Sequence, residues 1–114
     1  VMDRFTLYNM EITPHEFSSM VMLVRDALLE MKKVLDYTGD VAANYMKMEA
    51  RCRKIYVFEE RGDEFYREEI RRLFTEKQSA AYMIYWKDIL VDVERMLDAA
   101  AGAATLLQKL FVRV

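Results

Sequence analysis

Apolar residues recur at every third or fourth position through three long stretches of this 114-residue chain, and two short polar connectors separate the stretches. Such spacing places the apolar side chains along one face of an α-helix. No stretch has the strict alternation of apolar and polar residues that is typical of a half-buried strand. The sequence therefore predicts an all-α fold with three amphipathic helices, over residues 14–36, 41–74 and 80–112.

Residues with helix-capping chemistry stand at the ends of these stretches. Thr13 and Glu16 have the spacing of a capping box, in which each side chain accepts a hydrogen bond from the other residue's backbone. Gly39 suits the left-handed position that commonly ends a helix, and Asp40 suits the N-cap of the next helix. Ser79 is the candidate N-cap of the third helix. Long helices joined by such short connectors predict an up-down-up three-helix bundle.

The apolar faces predict which side chains form the core. Their members are Phe17, Met20, Val21, Val24, Ala27, Leu28, Met31, Val34 and Leu35 in the first helix; Val41, Tyr45, Met48, Cys52, Ile55, Tyr66, Ile70 and Leu73 in the second; and Tyr82, Tyr85, Ile89, Val93, Met96, Ala100, Ala104, Leu107 and Phe111 in the third. Packed together, these faces form one domain over residues 1–114. In the second helix, Glu59 and Gly62 interrupt the apolar face where it should be most deeply buried.

Composition and charge argue against several classes of function. Apolar residues make up 54% of the chain, which is enough for a packed core, and the formal net charge is −2. This charge gives no global reason to expect binding of nucleic acid or of an anionic membrane. No apolar run approaches the ~20 residues that span a membrane, so we predict a protein that is not itself membrane-spanning.

The sequence lacks the residue sets of the common catalytic sites. His15 is the only histidine and Cys52 the only cysteine, so neither a Ser/His/Asp nor a Cys/His nucleophile set can be assembled. A di-iron bundle of the ferritin type would require Glu-x-x-His motifs, which are missing. A single cysteine also excludes an internal disulfide and fits a reducing compartment. We therefore predict that the protein is not an enzyme.

Two acidic pairs with four-residue spacing are the candidate functional residues: Glu59 with Asp63, and Glu94 with Asp98. Residues four apart lie on one helix face with their Cβ atoms about 5–6 Å apart, so each pair presents two carboxylates side by side. Carboxylate oxygens suit hard or borderline cations. Glu59 lies near the middle of its apolar face. Glu94 and Asp98 lie opposite the main apolar face of the third helix, so a metal site there would be on the outside of the bundle.

The alternative interpretation of these acidic pairs is a solvated helix face. The second helix also carries many arginines and lysines, which can pair with neighbouring acids at three- and four-residue spacing. For these basic residues the solvated face is the favoured interpretation, ahead of a phosphate or nucleic-acid site.

Taken together, the motifs and their order resemble those of PhoU-like domains. The similarity is carried by residues 4–9, 55–63, 70–74, 84–89 and 93–98. It covers nearly the whole chain, and the most similar branch is that of the phosphate transport regulators that accompany Pit-type phosphate transporters. In that branch the segment corresponds to the second of two similar bundles, so the resemblance implies the C-terminal half of a two-bundle protein.

The resemblance implies a non-catalytic, cytoplasmic regulator of phosphate uptake, peripheral to the inner membrane. Its implied partners are a phosphate transporter or its regulators, and a second copy of the chain in a homo-oligomer. PhoU-like proteins hold iron or zinc on the bundle surface through Glu/Asp-x-x-x-Asp motifs. On this chain Glu59 and Asp63 match the first motif, and Glu94 and Asp98 match the second. Residues 99–104 are alanines and one glycine where the branch carries further acids, which implies fewer metal ligands.

Two other hypotheses belong to different functional classes. The second hypothesis is a structural or oligomerisation bundle, in which an arginine neutralises Glu59 and no metal binds. A metal-dependent enzyme is the third hypothesis, and the missing histidines argue against it, because a catalytic metal usually needs mixed ligands and an open coordination position.

Overall fold

The computed structural model describes residues 17–76 and 79–113, with side chains as far as Phe111. These residues form helix α1 (Phe17–Asp36), a 3-10 turn (Thr38–Asp40), helix α2 (Val41–Thr75) and helix α3 (Ala80–Arg113). The described part of the chain contains no strand, and the prediction of an all-α helical bundle is confirmed. Helix α2 packs against both other helices, and α1 also contacts α3.

The N-caps of α2 and α3 form as the sequence predicts. The Asp40 carboxylate accepts a hydrogen bond from the backbone N–H of Ala43 at 3.1 Å. The Ser79 hydroxyl accepts one from the N–H of Tyr82, also at 3.1 Å. Each cap satisfies one of the N–H groups that the first helical turn leaves without a backbone partner.

The predicted left-handed glycine between α1 and α2 is wrong. Gly39 has no positive φ angle, because the connector continues in a right-handed 3-10 turn. The Thr38 hydroxyl closes α1 by donating to the Leu35 carbonyl oxygen at 2.6 Å. The predicted capping box, Thr13 with Glu16, lies outside the described residues.

The core contains members of all three predicted apolar faces. The fully buried side chains include Met20, Ala27, Val34, Met48, Cys52, Ile55, Leu90, Leu97 and Ala104. The described part of the chain also buries two carboxylates that the apolar pattern does not include, Glu30 and Glu69. Arg51 of α2 contacts Glu30 at 3.2 Å, and Arg72 contacts Glu69 at 3.1 Å, so both buried charges have cationic partners.

The core face of α3 is rotated from its predicted position. Met96 is 57% exposed and Tyr85 39% exposed, whereas Leu90 and Leu97 are buried. On α1 the predicted core residue Leu28 is likewise 56% exposed. Each helix carries an apolar band that is wider than two neighbours can cover, so one edge of the band remains in solvent.

This uncovered edge forms an open groove between α1 and α3, which we call the α1–α3 groove. It has a volume of about 400 Å³ and is lined by Leu28, Met31, Met96, Ala99, Ala100 and Ala103. Its alanines come from the run at 99–104, in which only residues 100 and 104 are buried.

Gly62 is buried at the contact between α2 and α3. A Cβ atom at this position would overlap Leu97 Cδ1 and would approach the Leu23 side chain of α1. The absence of a side chain at residue 62 therefore lets α2 and α3 approach closely, with Leu97 packed over the glycine.

We predict opposite effects of alanine at two helical glycines. Gly102→Ala should raise the free energy of unfolding by about 0.5–1 kcal/mol, because alanine is the better helix former and the added methyl meets no atom within 4 Å. Gly62→Ala should lose this gain and be destabilised, because overpacking a buried contact costs about 1–3 kcal/mol. Urea unfolding of both variants measures the difference. Equal stabilisation by the two substitutions would contradict the close contact at Leu97.

Candidate functional site: four carboxylates between two helices

The two flanks of α2 carry opposite charge. On the flank that faces α3, Glu59 and Asp63 interact with acidic side chains of that helix. On the flank that faces α1, Arg51 pairs with Glu30 and Lys47 lies over the ring of Tyr37. The helical repeat produces this separation, because residues four or seven apart share a face and the two sets are out of phase.

All four predicted site residues meet between α2 and α3. The Glu59 carboxyl lies within hydrogen-bonding reach of Asp98, and the Glu94 carboxyl lies within reach of Asp63. The helices run antiparallel, so a step of four residues forward along α2 is matched by a step of four back along α3. The two motifs therefore face each other as two cross-helix pairs, which together we call the four-carboxylate cluster.

The sequence-based placement of Glu94 and Asp98 opposite the core face is wrong. Glu94 is half-buried and Asp98 is exposed, and both lie on the flank of α3 that faces α2. The physical reason is the rotation of α3 described above: its buried face extends to Leu90 and Leu97 and leaves Tyr85 and Met96 exposed. The cluster is at the edge of the α2–α3 interface, partly open to solvent.

Two members of the cluster, Glu94 and Glu59, have pKa values above the ordinary value of a glutamic acid. Burial, the hydrogen bond with Asp63 and the negative charges of the other three members raise the pKa of Glu94 from 4.5 to about 7. Burial is also the largest cause of the raised pKa of Glu59, followed by the charges of Asp98 and Asp63.

Basic side chains neutralise little of this charge. Arg67 contacts Asp63 at 3.3 Å on the exposed side of the cluster. Among residues 17–76 and 79–113, no lysine or arginine forms an ion pair with Glu59, Glu94 or Asp98. The fold thus pairs its two buried glutamates with arginines, yet places four acids together with a single arginine at their edge.

The cluster contains the oxygen donors of a metal site, but these donors are not arranged around one ion. Carboxylate oxygens are ligands for hard and borderline cations, and four of them converge here from two helices. Within the residues that the structure describes, however, no three His, Cys, Asp or Glu side chains are placed to hold one ion. The carboxyls are paired with each other, so binding of one ion by three of them requires rotation of side chains.

A hydrogen-bond network links α2 to α3 beside the cluster. The Tyr56 hydroxyl donates to Gln108 Oε1 at 2.6 Å and lies 2.8 Å from the Thr105 hydroxyl. Gln108 in turn donates to Glu49 at 3.3 Å. The sequence analysis missed these residues, and a tyrosine and a glutamine on two helices give no pattern that would have found them. The network holds the register in which the acids face each other.

The single cysteine is not a candidate nucleophile. Cys52 is fully buried, and burial together with the charge of Glu49 raises the pKa of its thiol to about 11. The reactive species of a cysteine is the thiolate, which is scarce at neutral pH when the pKa is this high. Cys52 therefore acts as a small apolar core residue.

Comparisons with known proteins do not assign the chain to a family. No protein-family model, no curated protein and no solved structure matches it significantly. In the described part of the chain, no helix combines the length and apolar composition needed to cross a membrane. The argument about function therefore depends on the geometry of the cluster and on the sequence motifs.

The raised pKa of Glu94 predicts that stability falls as pH increases from about 4.5 to about 7. In this range the folded state binds more protons at Glu94 than the unfolded state, so deprotonation favours unfolding. Glu94→Gln should flatten this part of the pH profile and should be more stable than wild type above pH 7. Urea unfolding across this range measures both effects.

The matched control for this experiment is Glu64→Gln, at an exposed position of α2 outside the cluster. It should leave the slope of the profile unchanged. A wild-type profile that is flat or rises between these pH values would show that Glu94 is not held in its protonated form by its neighbours.

Proposed function

We propose that this chain is a non-catalytic regulatory bundle that binds a metal ion through the four-carboxylate cluster and acts with a phosphate transporter. The observation that carries the proposal is the convergence of Glu59, Asp63, Glu94 and Asp98 across the α2–α3 interface. These are the four positions for which the resemblance to PhoU-like domains implies metal ligands.

The electrostatics of the cluster favour a cation over a purely structural role. Acids that serve as a solvated face are normally dispersed or paired with basic residues. Here two half-buried glutamates have raised pKa values and no ion pair within the described residues. The metal-free alternative requires an arginine on Glu59, and the described part of the chain places none there.

A bound cation would take the place of the protons in the cluster. Glu59 and Asp63 on α2, with Glu94 and Asp98 on α3, would hold it, and it would supply positive charge that links the two helices. The resemblance implies iron or zinc, and an all-oxygen donor set suits the harder of these ions. Cys52 is buried away from solvent and offers no thiolate to the cluster, which agrees with a structural or signalling metal.

The biological part of the proposal follows from the resemblance alone. The chain would act on the cytoplasmic side of the inner membrane, where it would bind a phosphate transporter or a regulator of that transporter. The cluster lies at the edge of the α2–α3 interface, so a metal there could change the surface that a partner contacts.

We expect metal binding to depend on both acidic pairs. Protein purified without an affinity metal or chelator, then incubated separately with Fe²⁺, Zn²⁺ and Mn²⁺, should retain one of these ions by elemental analysis. Glu59→Gln/Asp63→Asn and Glu94→Gln/Asp98→Asn should each lose it. Glu60→Gln/Glu64→Gln is the matched control, because it removes an exposed acidic pair of the same spacing from the same helix. Retention of metal by both cluster variants would exclude this site.

The same variants test the regulatory role in the cell that contains the chain. Deletion of the gene should alter phosphate uptake, and wild type should co-purify with a phosphate transporter or its regulator. The cluster variants should fail to restore regulated uptake, whereas Glu60→Gln/Glu64→Gln should restore it. Normal uptake after deletion would refute the regulatory proposal and leave the metal-binding result standing on its own.

An oligomerisation bundle is the second candidate function, and the α1–α3 groove favours it. Exposed apolar residues of α3 recur at positions 96, 99, 103, 106 and 110, alternating three and four apart as in a coiled-coil seam. Such a seam is suited to a second copy of the same chain. Met96→Glu should then convert a dimer to a monomer in sedimentation equilibrium, whereas Met46→Glu, at an exposed position of α2, should not. A wild-type chain that is monomeric at all concentrations would exclude this candidate.

A further inference from the structure

A second charged surface lies on the opposite flank of α2 from the four-carboxylate cluster. It is an open cavity of about 310 Å³ lined by Tyr37, Lys47, Ala50, Arg51 and Lys54, which we call the basic groove. The three cations are four and three residues apart on α2, so they share one face of the helix. Tyr37 closes one side from the connector that follows α1.

One cation of the basic groove, Arg51, is held in place by a buried carboxylate of α1. Arg51 is partly buried, and its Nη1 atom donates to both carboxylate oxygens of Glu30, at 3.2 and 3.4 Å. Glu30 is itself buried and is also contacted by Lys33 at 3.6 Å. A guanidinium has five N–H donors in a fixed plane, so this anchor leaves others of Arg51 able to bind a ligand.

The other two cations have no carboxylate partner. Among the residues that the structure describes, neither Lys47 nor Lys54 forms an ion pair. The Lys47 ammonium instead lies 5.8 Å from the centroid of the Tyr37 ring, which is within the range of a cation–π contact. Lys33 and Arg51 thus contact the single charge of Glu30, while Lys47 and Lys54 line the groove without an ion pair among the described residues. Positive charge is therefore in excess at the groove, although the net charge of the whole chain is −2.

We propose that the basic groove binds a phosphate group. A phosphate carries up to about two negative charges near neutral pH and presents several acceptor oxygens, which matches two lysines and an anchored arginine around a small cavity. Ala50 leaves space between the side chains of Lys47 and Lys54. The cavity is at the small end of the ~300–1,000 Å³ range of ligand sites, which favours inorganic phosphate or a small phosphorylated molecule.

This site goes beyond the proposed function and does not depend on it. The basic groove and the four-carboxylate cluster use different flanks of α2 and share no residue. Phosphate binding can therefore fail while metal binding succeeds, and the reverse. If both sites function, the chain would respond to phosphate directly, through a surface that the sequence analysis assigned to solvated charges.

The test is a titration of the ¹⁵N-labelled chain with inorganic phosphate at constant ionic strength, followed by amide chemical shifts. Shifts centred on Tyr37, Ala50 and Arg51 should saturate. Lys47→Gln/Lys54→Gln should weaken binding at least about tenfold, as expected for loss of charge-assisted hydrogen bonds. The matched control is Lys32→Gln/Arg53→Gln, which removes two exposed cations outside the groove and should bind as wild type.

A second arm identifies the source of the phosphate group. Vesicles of phosphatidylcholine mixed with phosphatidic acid are incubated with the same three proteins and sedimented. Saturable binding of inorganic phosphate assigns a free anion; binding to the vesicles alone, lost in Lys47→Gln/Lys54→Gln and kept in the control, assigns a lipid headgroup. The proposal is overturned if neither ligand binds, or if the control pair loses binding to the same extent as the groove pair.

Discussion

The close contact of α2 with α3 at Gly62 is the constraint on which the rest of this structure depends. Leu97 packs directly over the glycine, and a side chain at residue 62 would overlap the Leu97 side chain and force it to move. The Tyr56–Gln108 hydrogen bond and the two cross-helix carboxyl pairs join the same two helices as this contact. Each of these polar interactions has a short reach, so each requires the spacing that the glycine permits.

The same spacing gives the cluster its unusual electrostatics. Four carboxyl groups at the edge of a helix interface lose part of their hydration and repel one another, and both effects disfavour ionisation. The fold avoids such crowding elsewhere, since Glu30 and Glu69 each have an arginine partner. Crowding of carboxyl groups lowers stability, and a protein that keeps such crowding at one position often uses it to bind a cation or a proton. The charge distribution of α2, acidic towards α3 and basic towards α1, places the proposed cation site and the proposed phosphate site on different flanks of this helix.

Much of the fold follows from the sequence alone. The three-and-four spacing predicts the helices, and the caps at Asp40 and Ser79 form as expected, because these signals act within a few residues of chain. The rotation of α3 was not predicted, since each helix has a broad apolar band and the choice between its edges depends on packing against the others. Leu97 is buried and Met96 exposed for this reason.

At the candidate site, likewise, the sequence identified the residues but did not predict their contact across the helices. The four acids were identified from their spacing and from a resemblance, but their mutual contact depends on the register of two antiparallel helices, which no local pattern specifies. The basic groove was missed because the cations of α2 were predicted as one solvated face, although neither Arg51 nor Lys54 has an acidic residue three or four positions away. The structure instead directs Arg51 to Glu30 of α1 and leaves Lys54 without an ion pair among the described residues.

The contact between the two acidic motifs can be measured directly with a double-mutant cycle on Glu59 and Asp98. At pH about 8.5, Glu59→Gln or Asp98→Asn alone should stabilise the protein by relieving the same repulsion. Together they should stabilise it by less than the sum, with a coupling of at least about 0.5 kcal/mol. A parallel cycle with Asp92→Asn, at an exposed position on a different face of α3, should be additive. Additivity in the Glu59–Asp98 cycle would mean that the two motifs do not face each other, and the four-carboxylate cluster would not exist.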